Sequence, residues 1–215
     1  MDKKIADKID NYFKQFKHQI YRKGEILIRA DDDPPGVFYL TSGYVKEYAI
    51  SKNGDELIIN VFKPIAFFPM SCAINLTPNE YFYEAVTDAE VWRIPKEKVV
   101  NFIKNNPDVL YDLMSRVFHG TDGMLTRMTY LMAGKAYARF IIELIIHAKR
   151  FGEKENGTIK IKIKEKDLAA QAGMTRETVS REMKILKDKK FVLFTKNTLV
   201  INDLNKLEKE LAEGA

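Results

Sequence analysis

Residues 174–187 read MTRETVSREMKILK, and at helical spacing this stretch separates into two faces. Val179, Met183 and Leu186 fall on one side of a helix. The other side carries Arg176, Glu177, Ser180, Arg181 and Lys184. Thr175 suits the N-cap, because its hydroxyl can accept a backbone N–H of the first turn. The stretch therefore predicts an amphipathic helix with an arginine-bearing outer face.

A shorter predicted helix stands just upstream. Residues 165–172 read EKDLAAQA and are followed by Gly173. A short helix, a glycine-containing turn and a second helix at 175–187 form a helix-turn-helix. We therefore expect the second helix to enter the major groove of double-stranded DNA.

The segments around this pair predict a winged domain over residues 134–215. Residues 158–164 alternate apolar and basic side chains, which favours a half-buried edge strand protected by lysines. Residues 191–195 and 198–201, joined at Lys196-Asn197, predict a β hairpin, the wing. The other expected elements are a hinge at 133–135, an apolar helix at 136–150, a polar turn at 152–157 and a final helix at 203–213.

The N-terminal part has a different pattern. Residues 3–16 are apolar at helical spacing and predict an amphipathic cap helix. Short apolar runs separated by turn residues then predict strands at 25–29, 36–40, 44–50, 56–62, 81–86 and 90–94. Many closely spaced strands favour a β barrel, jelly roll or sandwich. Asn53-Gly54 is a hairpin signal, because both residues tolerate positive φ.

A short helix at 96–105 and a long helix at 107–131 are expected to follow, the second about 37 Å long. Its apolar residues alternate at intervals of four and three: Leu110, Met114, Val117, Thr121, Met124, Met128 and Leu131. This is the spacing of a coiled-coil seam and favours a homodimer. The alternative is a helix that packs on its own β domain. Gly120 and Gly123 would allow close approach to the barrel or to a second helix.

These elements predict an α+β protein: an N-terminal β-roll or jelly-roll sensory domain at 1–106, a dimerisation helix with hinge at 107–133, and the winged helix-turn-helix. The 215 residues are 46% hydrophobic, and the net charge is +5. Residues 150–215 hold 15 Lys/Arg against 11 Asp/Glu, which suits a polyanionic partner or a solvated basic face.

Several classes of protein are not expected. The single cysteine, Cys72, excludes an internal disulfide framework and indicates a reducing compartment. No signal-peptide core or membrane-length apolar run is present, so we expect a soluble, cytoplasmic protein without a membrane partner. The acidic run at 31–33 lacks the alternating pattern of a calcium loop and predicts a solvated turn. No phosphate loop, metal-ligand spacing or nucleophile motif indicates an enzyme.

Two stretches resemble the Crp/Fnr family of bacterial transcription regulators. Residues 22–25 (RKGE) through 34–46 (PPGVFYLTSGYVK) resemble its cyclic-nucleotide-binding-type β roll. Residues 168–170 (LAA) followed by 173–181 (GMTRETVSR) resemble its recognition module. The resemblance covers nearly the whole chain. It implies a homodimer that binds an inverted-repeat operator and contacts RNA polymerase, with residues 52–56 as a candidate polymerase-contacting loop or an ordinary hairpin.

The chain departs from the family where cyclic AMP would bind. The Gly-Glu and Arg-Ser pairs of cyclic-AMP-binding members correspond here to Pro69-Met70 and Asn79-Glu80. A cyclic phosphate needs a cation and free backbone N–H donors, so we do not expect cyclic AMP as a ligand. The N-terminal cysteines that hold an iron–sulfur cluster in another branch are absent. His18, His119 and His147 are scattered, so neither a metal nor a haem is expected. Cys72 is interpreted as an inert thiol, with a redox switch as the alternative, and His119 as a solvated or packed side chain in preference to an axial ligand.

The resemblance implies that Arg176, Glu177 and Arg181 read base edges. Arginine suits guanine O6 and N7, and glutamate can accept from the cytosine amine. Candidate phosphate contacts are Thr175, Thr178, Ser180, Lys184 and Lys166.

The β roll is aromatic and leaves two interpretations open. It either forms a pocket for an unknown, hydrophobic small-molecule effector or has a filled core that needs no ligand. The candidate pocket residues are Phe67, Phe68, Met70, Tyr81, Tyr83, Met124 and Leu125. The alternative for the whole chain is a stand-alone sensory module or enzyme in which the C-terminal domain is only structural. Deleting residues 155–215 and assaying DNA binding and dimerisation would separate these hypotheses.

Overall fold

The computed structural model describes residues 2–52 and 54–214. The helices are α1 Lys3–Phe13, α2 Met70–Ile74, α3 Lys96–Asn105, α4 Pro107–Ala133, α5 Ala136–Phe151, α6 Glu165–Ala172, α7 Arg176–Asp188 and α8 Leu204–Gly214. The strands are β1 Lys17–Tyr21, β2 Ile26–Ile28, β3 Val37–Ser42, β4 Val45–Ile50, β5 Glu56–Phe62, β6 Ala66–Phe68, β7 Phe82–Ala85, β8 Ala89–Ile94, β9 Glu153–Glu155, β10 Thr158–Lys162, β11 Val192–Thr195 and β12 Thr198–Ile201.

The chain divides into two compact units, Met1–Val117 and Phe118–Ala215, and the boundary falls inside α4. A β-rich N-terminal unit, a long helix and a C-terminal helix-turn-helix are present in that order. The predicted fold class is therefore confirmed. Among the described residues, no helix combines the length and the apolar character needed to cross a membrane.

Two antiparallel sheets form the N-terminal unit, in the orders β1-β8-β3-β6 and β2-β7-β4-β5. Side chains of β3 point alternately into two apolar clusters, as expected for a strand. Val37 and Tyr39 belong to a cluster that includes residues of α1 and α3. Phe38 and Leu40 belong to a second cluster between strands. Burial on both faces explains the apolar run at the start of β3.

The sequence interpretation missed β1, β6 and α2. Residues 17–21 read KHQIY, with one aliphatic residue among five, so their pairing with β8 carries little local signal. In the sequence, Phe67, Phe68 and Met70 are interpreted as candidate pocket residues and not as parts of a strand and a helix. The strong hairpin signal at Asn53-Gly54 falls partly on Asn53, which lies outside the described residues. Gly54 itself has φ +85°.

The C-terminal unit contains a third antiparallel sheet, in the order β11-β12-β10-β9. The prediction that residues 158–164 form an edge strand is wrong, because β10 pairs with β12 on one side and with β9 on the other. Strand β9 occupies part of the predicted polar turn, and its residues, EKE, have no apolar signal. The wing turns at Lys196 and Asn197, which have φ +45° and +65°.

Helix α4 begins at Pro107, as predicted, and runs to residue 133. Leu110, the first residue of the predicted seam, packs on the cluster of α1 and α3. The later apolar seam residues are exposed: Met114, Val117, Met124, Met128 and Leu131. Apart from the nearby backbone of α4 itself, no described atom lies within 4 Å of where a Cβ would be at Gly120 or Gly123.

Candidate nucleic-acid interface

The turn between α6 and α7 determines where α7 begins. Gly173 is left-handed, with φ +57°, a conformation that glycine adopts without steric cost. The N–H of Met174 donates to the carbonyl of Ala169 at 3.0 Å. Thr175 then caps α7, because its hydroxyl accepts the N–H of Thr178 at 3.2 Å. The predicted turn and N-cap are both present.

Helix α7 buries one face and exposes the other. Val179, Met183 and Leu186 belong to the apolar core of the C-terminal unit. On the outer side an open groove of about 590 Å³ is lined by Glu165, Arg176, Glu177, Ser180, Arg181 and Lys184. The structure thus brings together five of the eight predicted DNA-contacting residues, and Glu165 is an additional residue that the sequence interpretation missed.

The other three predicted residues, Thr175, Thr178 and Lys166, are not among those that line the groove. The hydroxyls of Thr175 and Thr178 are 3.1 Å apart at the start of α7, so both participate in the cap. Lys166 is exposed on α6. Glu177 is fully exposed in the first turn, where its own backbone N–H lowers the pKa of its carboxyl. The Glu177 side chain is therefore an ionised hydrogen-bond acceptor.

Arginines from two other helices hold the end of α6. Arg127 of α4 donates to the carbonyl of Gln171 and to the carboxylate of Glu143 on α5. Arg139 of α5 donates to the carbonyls of Ala172 and Gly173, at 3.3 Å each. Cations at a helix C-terminus stabilise its unpaired carbonyls. The two arginines therefore fix the turn that precedes α7.

Glu143 is buried among these arginines. Its burial raises the pKa of the carboxyl to about 6, although Arg127 and Arg139 both act in the opposite direction. His147, one turn further along α5, has its pKa lowered to about 4 because burial disfavours the imidazolium. Its ring packs against Phe151, with the ring centroids 4.7 Å apart. Both side chains are therefore largely buried within the C-terminal unit.

The β-roll positions that differ from the cyclic-AMP-binding pattern have other partners. Asn79 is 5% exposed, and its Nδ2 donates to the carbonyls of Arg29 and Tyr81, at 2.8 and 2.9 Å. Pro69 precedes α2 and has no N–H, while Glu80 is exposed and acidic. These residues supply no cation, Pro69 removes one N–H and Glu80 would repel an anion, so they do not fit a cyclic phosphate.

The candidate effector residues lie in different parts of the structure. Phe68 and Tyr83 stack at 5.4 Å, and the Tyr83 hydroxyl donates to Glu47 at 2.8 Å. Burial raises the pKa of the Glu47 carboxyl. Phe67 and Met70 pack in the other cluster, with α1. Tyr81 borders the Phe68 cluster.

Two of these candidates are on α4 and belong to the C-terminal unit. Met124 and Leu125 are 51% and 57% exposed. An open groove of about 400 Å³ on the N-terminal unit is lined by other residues: Ile26, Leu27, Ile28, Arg29, Asp32, Asp33 and Pro35. Cys72 is buried, and His119 is exposed on α4.

Comparison with known proteins gives two family matches. A cyclic nucleotide-binding domain matches residues 18–106, and a Crp-like helix-turn-helix domain matches residues 137–210. The chain belongs to the Crp/Fnr family. It is a DNA-binding transcription regulator of that family, as the recognition-module resemblance predicts.

Relatives in this Crp/Fnr group align over most of both chains. The global nitrogen regulator of Nostoc sp. is 24% identical over 192 residues, which are 86% of this chain and 84% of that protein. The anaerobic regulatory protein of Haemophilus influenzae is 24% identical over 212 residues, 96% and 80% of the two chains.

Solved structures support the same fold. A CooA mutant from Carboxydothermus hydrogenoformans has a TM-score of 0.78 at 22% identity and covers 94% of this chain and 90% of that chain. The c-di-GMP-responsive regulator CLP of Xanthomonas campestris has a TM-score of 0.78 at 19% identity, with 91% and 98% covered.

Proposed function

We propose that this Crp/Fnr member acts as a homodimer on an inverted-repeat DNA operator and reads each half-site with α7. The observation that carries the proposal is the groove beside α7, where two arginines, a lysine, a serine and an ionised glutamate line one surface. Arg176 and Arg181 would donate to guanine O6 and N7, and Glu177 would accept from a cytosine amine.

The remaining polar residues would position the protein on the DNA backbone. Thr175, Thr178, Ser180, Lys184 and Lys166 are the proposed phosphate contacts, which add affinity without reading sequence. Glu165 also lines the groove. Its negative charge would disfavour close approach of a phosphate, so we assign it no phosphate contact.

The exposed apolar face of α4 supports the homodimer. Its members, which include Met114, Met124 and Met128, are about half exposed and would be buried against the same helix of a second copy. A two-fold axis along α4 would place two α7 helices about 34 Å apart, the spacing of successive major grooves on one face of DNA. As the Crp/Fnr resemblance implies, RNA polymerase is the expected protein partner.

The input of this regulator is proposed to differ from cyclic AMP. The Pro69-Met70 and Asn79-Glu80 positions lack the groups that a cyclic phosphate requires. The filled aromatic cluster around Phe68 favours a β roll that needs no ligand, and a hydrophobic effector is the alternative. Calorimetry with cyclic AMP, compared with operator binding by the ligand-free protein, tests both statements.

Arg181→Ala tests the DNA-reading assignment. An operator is first selected from random duplexes with the wild-type protein, and binding to it is compared with binding to a scrambled duplex. Loss of one bidentate contact should reduce discrimination by about 1–3 kcal/mol per half-site.

Lys149→Ala is the matched control, because Lys149 is exposed on α5, pairs with Glu208 of α8 and does not line the groove beside α7. It removes one positive charge from the same unit and should leave discrimination unchanged. A wild-type ratio retained by Arg181→Ala would contradict the assignment.

A further inference from the structure

Glu182 is an unusual residue on the DNA-reading helix, because it is a carboxylate on the buried side. Only 5% of the residue is exposed, and it lies next to Met183 and one turn after Val179, both core residues. A buried carboxylate is unfavourable unless it is paired and hydrogen-bonded. Its pairing therefore needs an explanation.

The partner of Glu182 is the neighbouring Arg181. Oε1 of Glu182 accepts from Nε of Arg181 at 3.1 Å and from Nη2 at 3.0 Å. Side chains at i and i+1 do not face each other on a helix. The Arg181 side chain must therefore run along the surface of α7 towards Glu182 to make this contact.

The contact leaves the outer edge of the guanidinium available. Arginine has five N–H donors, and the Nε–H and one Nη2–H are used by Glu182. Within residues 2–52 and 54–214, no hydrogen bond is found for Nη1, so its two hydrogens and the second hydrogen of Nη2 can donate to a base. Two adjacent donors of this kind match guanine O6 and N7. Glu182 thus holds the guanidinium by one edge while the edge that reads a base stays available.

A contribution to stability alone does not account for this arrangement. The Arg181 side chain is 66% exposed, whereas that of Glu182 is 6% exposed. The arginine end of the pair is therefore largely in solvent, where screening limits what the pair adds to the free energy of unfolding. Restricting a long side chain before binding instead reduces the entropy that is lost when DNA is bound.

We propose that Glu182 is a positioning residue that orients Arg181 for base reading. The proposal rests on the proposed function of α7 as the DNA-reading helix. Glu182 contacts no base; it acts through the guanidinium of its neighbour. It therefore determines how sharply Arg181 distinguishes guanine from other bases, with little influence on sequence-independent affinity.

The test uses the full-length protein and the operator selected by the wild type, together with duplexes changed at the base pair that depends on Arg181. Glu182→Gln should lower the guanine preference roughly three- to tenfold per half-site, because a neutral amide oxygen holds the Arg181 guanidinium less firmly before binding than a carboxylate does. Glu182→Leu should have at least the same effect. Glu208→Gln, which removes a negative charge on α8, is the matched control and should leave the preference unchanged.

A double-mutant cycle separates positioning from a general structural effect. In the Arg181→Ala background, a substitution at Glu182 should cause no further loss of preference. Unchanged guanine preference in folded Glu182→Gln, or the same loss with and without Arg181, would overturn the inference. If the wild type itself fails to distinguish the selected duplex from a scrambled one, the proposed function fails and the inference with it. The wild-type measurement alone shows this outcome, so failure of the proposed function is distinguished from failure of the inference about Glu182.

Discussion

The groove beside α7 is open to solvent, whereas the interior of the β roll is filled by side chains. The groove is open and lined mainly by charged side chains, whereas the β-roll interior around Phe68 contains stacked aromatic rings of Phe38, Phe62 and Tyr83. The surface proposed to read DNA therefore has polar groups that can bind a ligand. In the N-terminal unit, the interior around Phe68 is occupied by packed aromatic rings.

The largest effect is expected from Phe68→Ala. This ring is 1% exposed, so its removal should create a cavity and lower the free energy of unfolding of the N-terminal unit by about 3–5 kcal/mol. Denaturant unfolding followed by the fluorescence of Trp92, which lies on β8 of the same unit, measures this change. Ile74→Ala is the control, because Ile74 is 53% exposed in the same unit. Equal losses for the two variants would show that the β-roll interior is not tightly packed around Phe68.

A second prediction concerns the exposed face of α4. Met124→Asp would place a charge in each half of the proposed dimer seam. If each buried charge makes the free energy of association less favourable by about 2 kcal/mol, the two protomers together should raise the dimer dissociation constant roughly a thousandfold. Sedimentation equilibrium measures the change, and Ser115→Asp, on the polar side of the same helix, should leave it unaltered. An undisturbed dimer in Met124→Asp would place the interface elsewhere.

The smallest predicted effect is a pH dependence from Glu143. Its folded pKa of about 6 lies above the ordinary value of 4.5, so its contribution to stability is present below pH 4.5 and is lost as the pH rises through 6. The loss should amount to about 2 kcal/mol. Wild type should therefore become less stable relative to Glu143→Gln across this interval.

Comparing the two proteins at each pH removes the opposite contribution of His147. The lowered pKa of that residue makes the folded state less stable as the pH falls from 6.5 to about 4. A constant difference between wild type and Glu143→Gln over pH 4.5–7 would contradict the assigned environment of Glu143.

The sequence predicted best the elements that have local signals. Residues 165–172 and 198–201 were placed at their observed bounds, because a glycine ends the first segment and a turn precedes the second. Strand β9 was missed because it is held by pairing with β10 and not by apolar residues of its own. For the same reason, β10 could not be recognised as a central strand. Long-range pairing is not visible in a short sequence window.

The candidate site shows the same limit at single residues. The outer face of α7 was predictable from helical spacing, yet Glu182 was not singled out, because only the side-chain geometry reveals its contact with Arg181. Phe67 and Phe68 were both assigned to one pocket. Consecutive strand residues point to opposite faces, and these two enter different apolar clusters. That separation could have been inferred from the alternation alone.

Asn79 has a consequence for how this family member could change its input. Its side-chain Nδ2 donates to the backbone carbonyls of Arg29 and Tyr81. Its backbone carbonyl accepts the N–H of Asp31 at 3.0 Å. An arginine introduced at position 79 would supply a cation but would also remove the two side-chain hydrogen bonds that hold this loop. Building a phosphate-binding site here would therefore require at least two coordinated substitutions, with a poorly held loop as the intermediate. The hydrogen bonds of Asn79 thus oppose conversion of this loop to the cyclic-AMP-binding pattern.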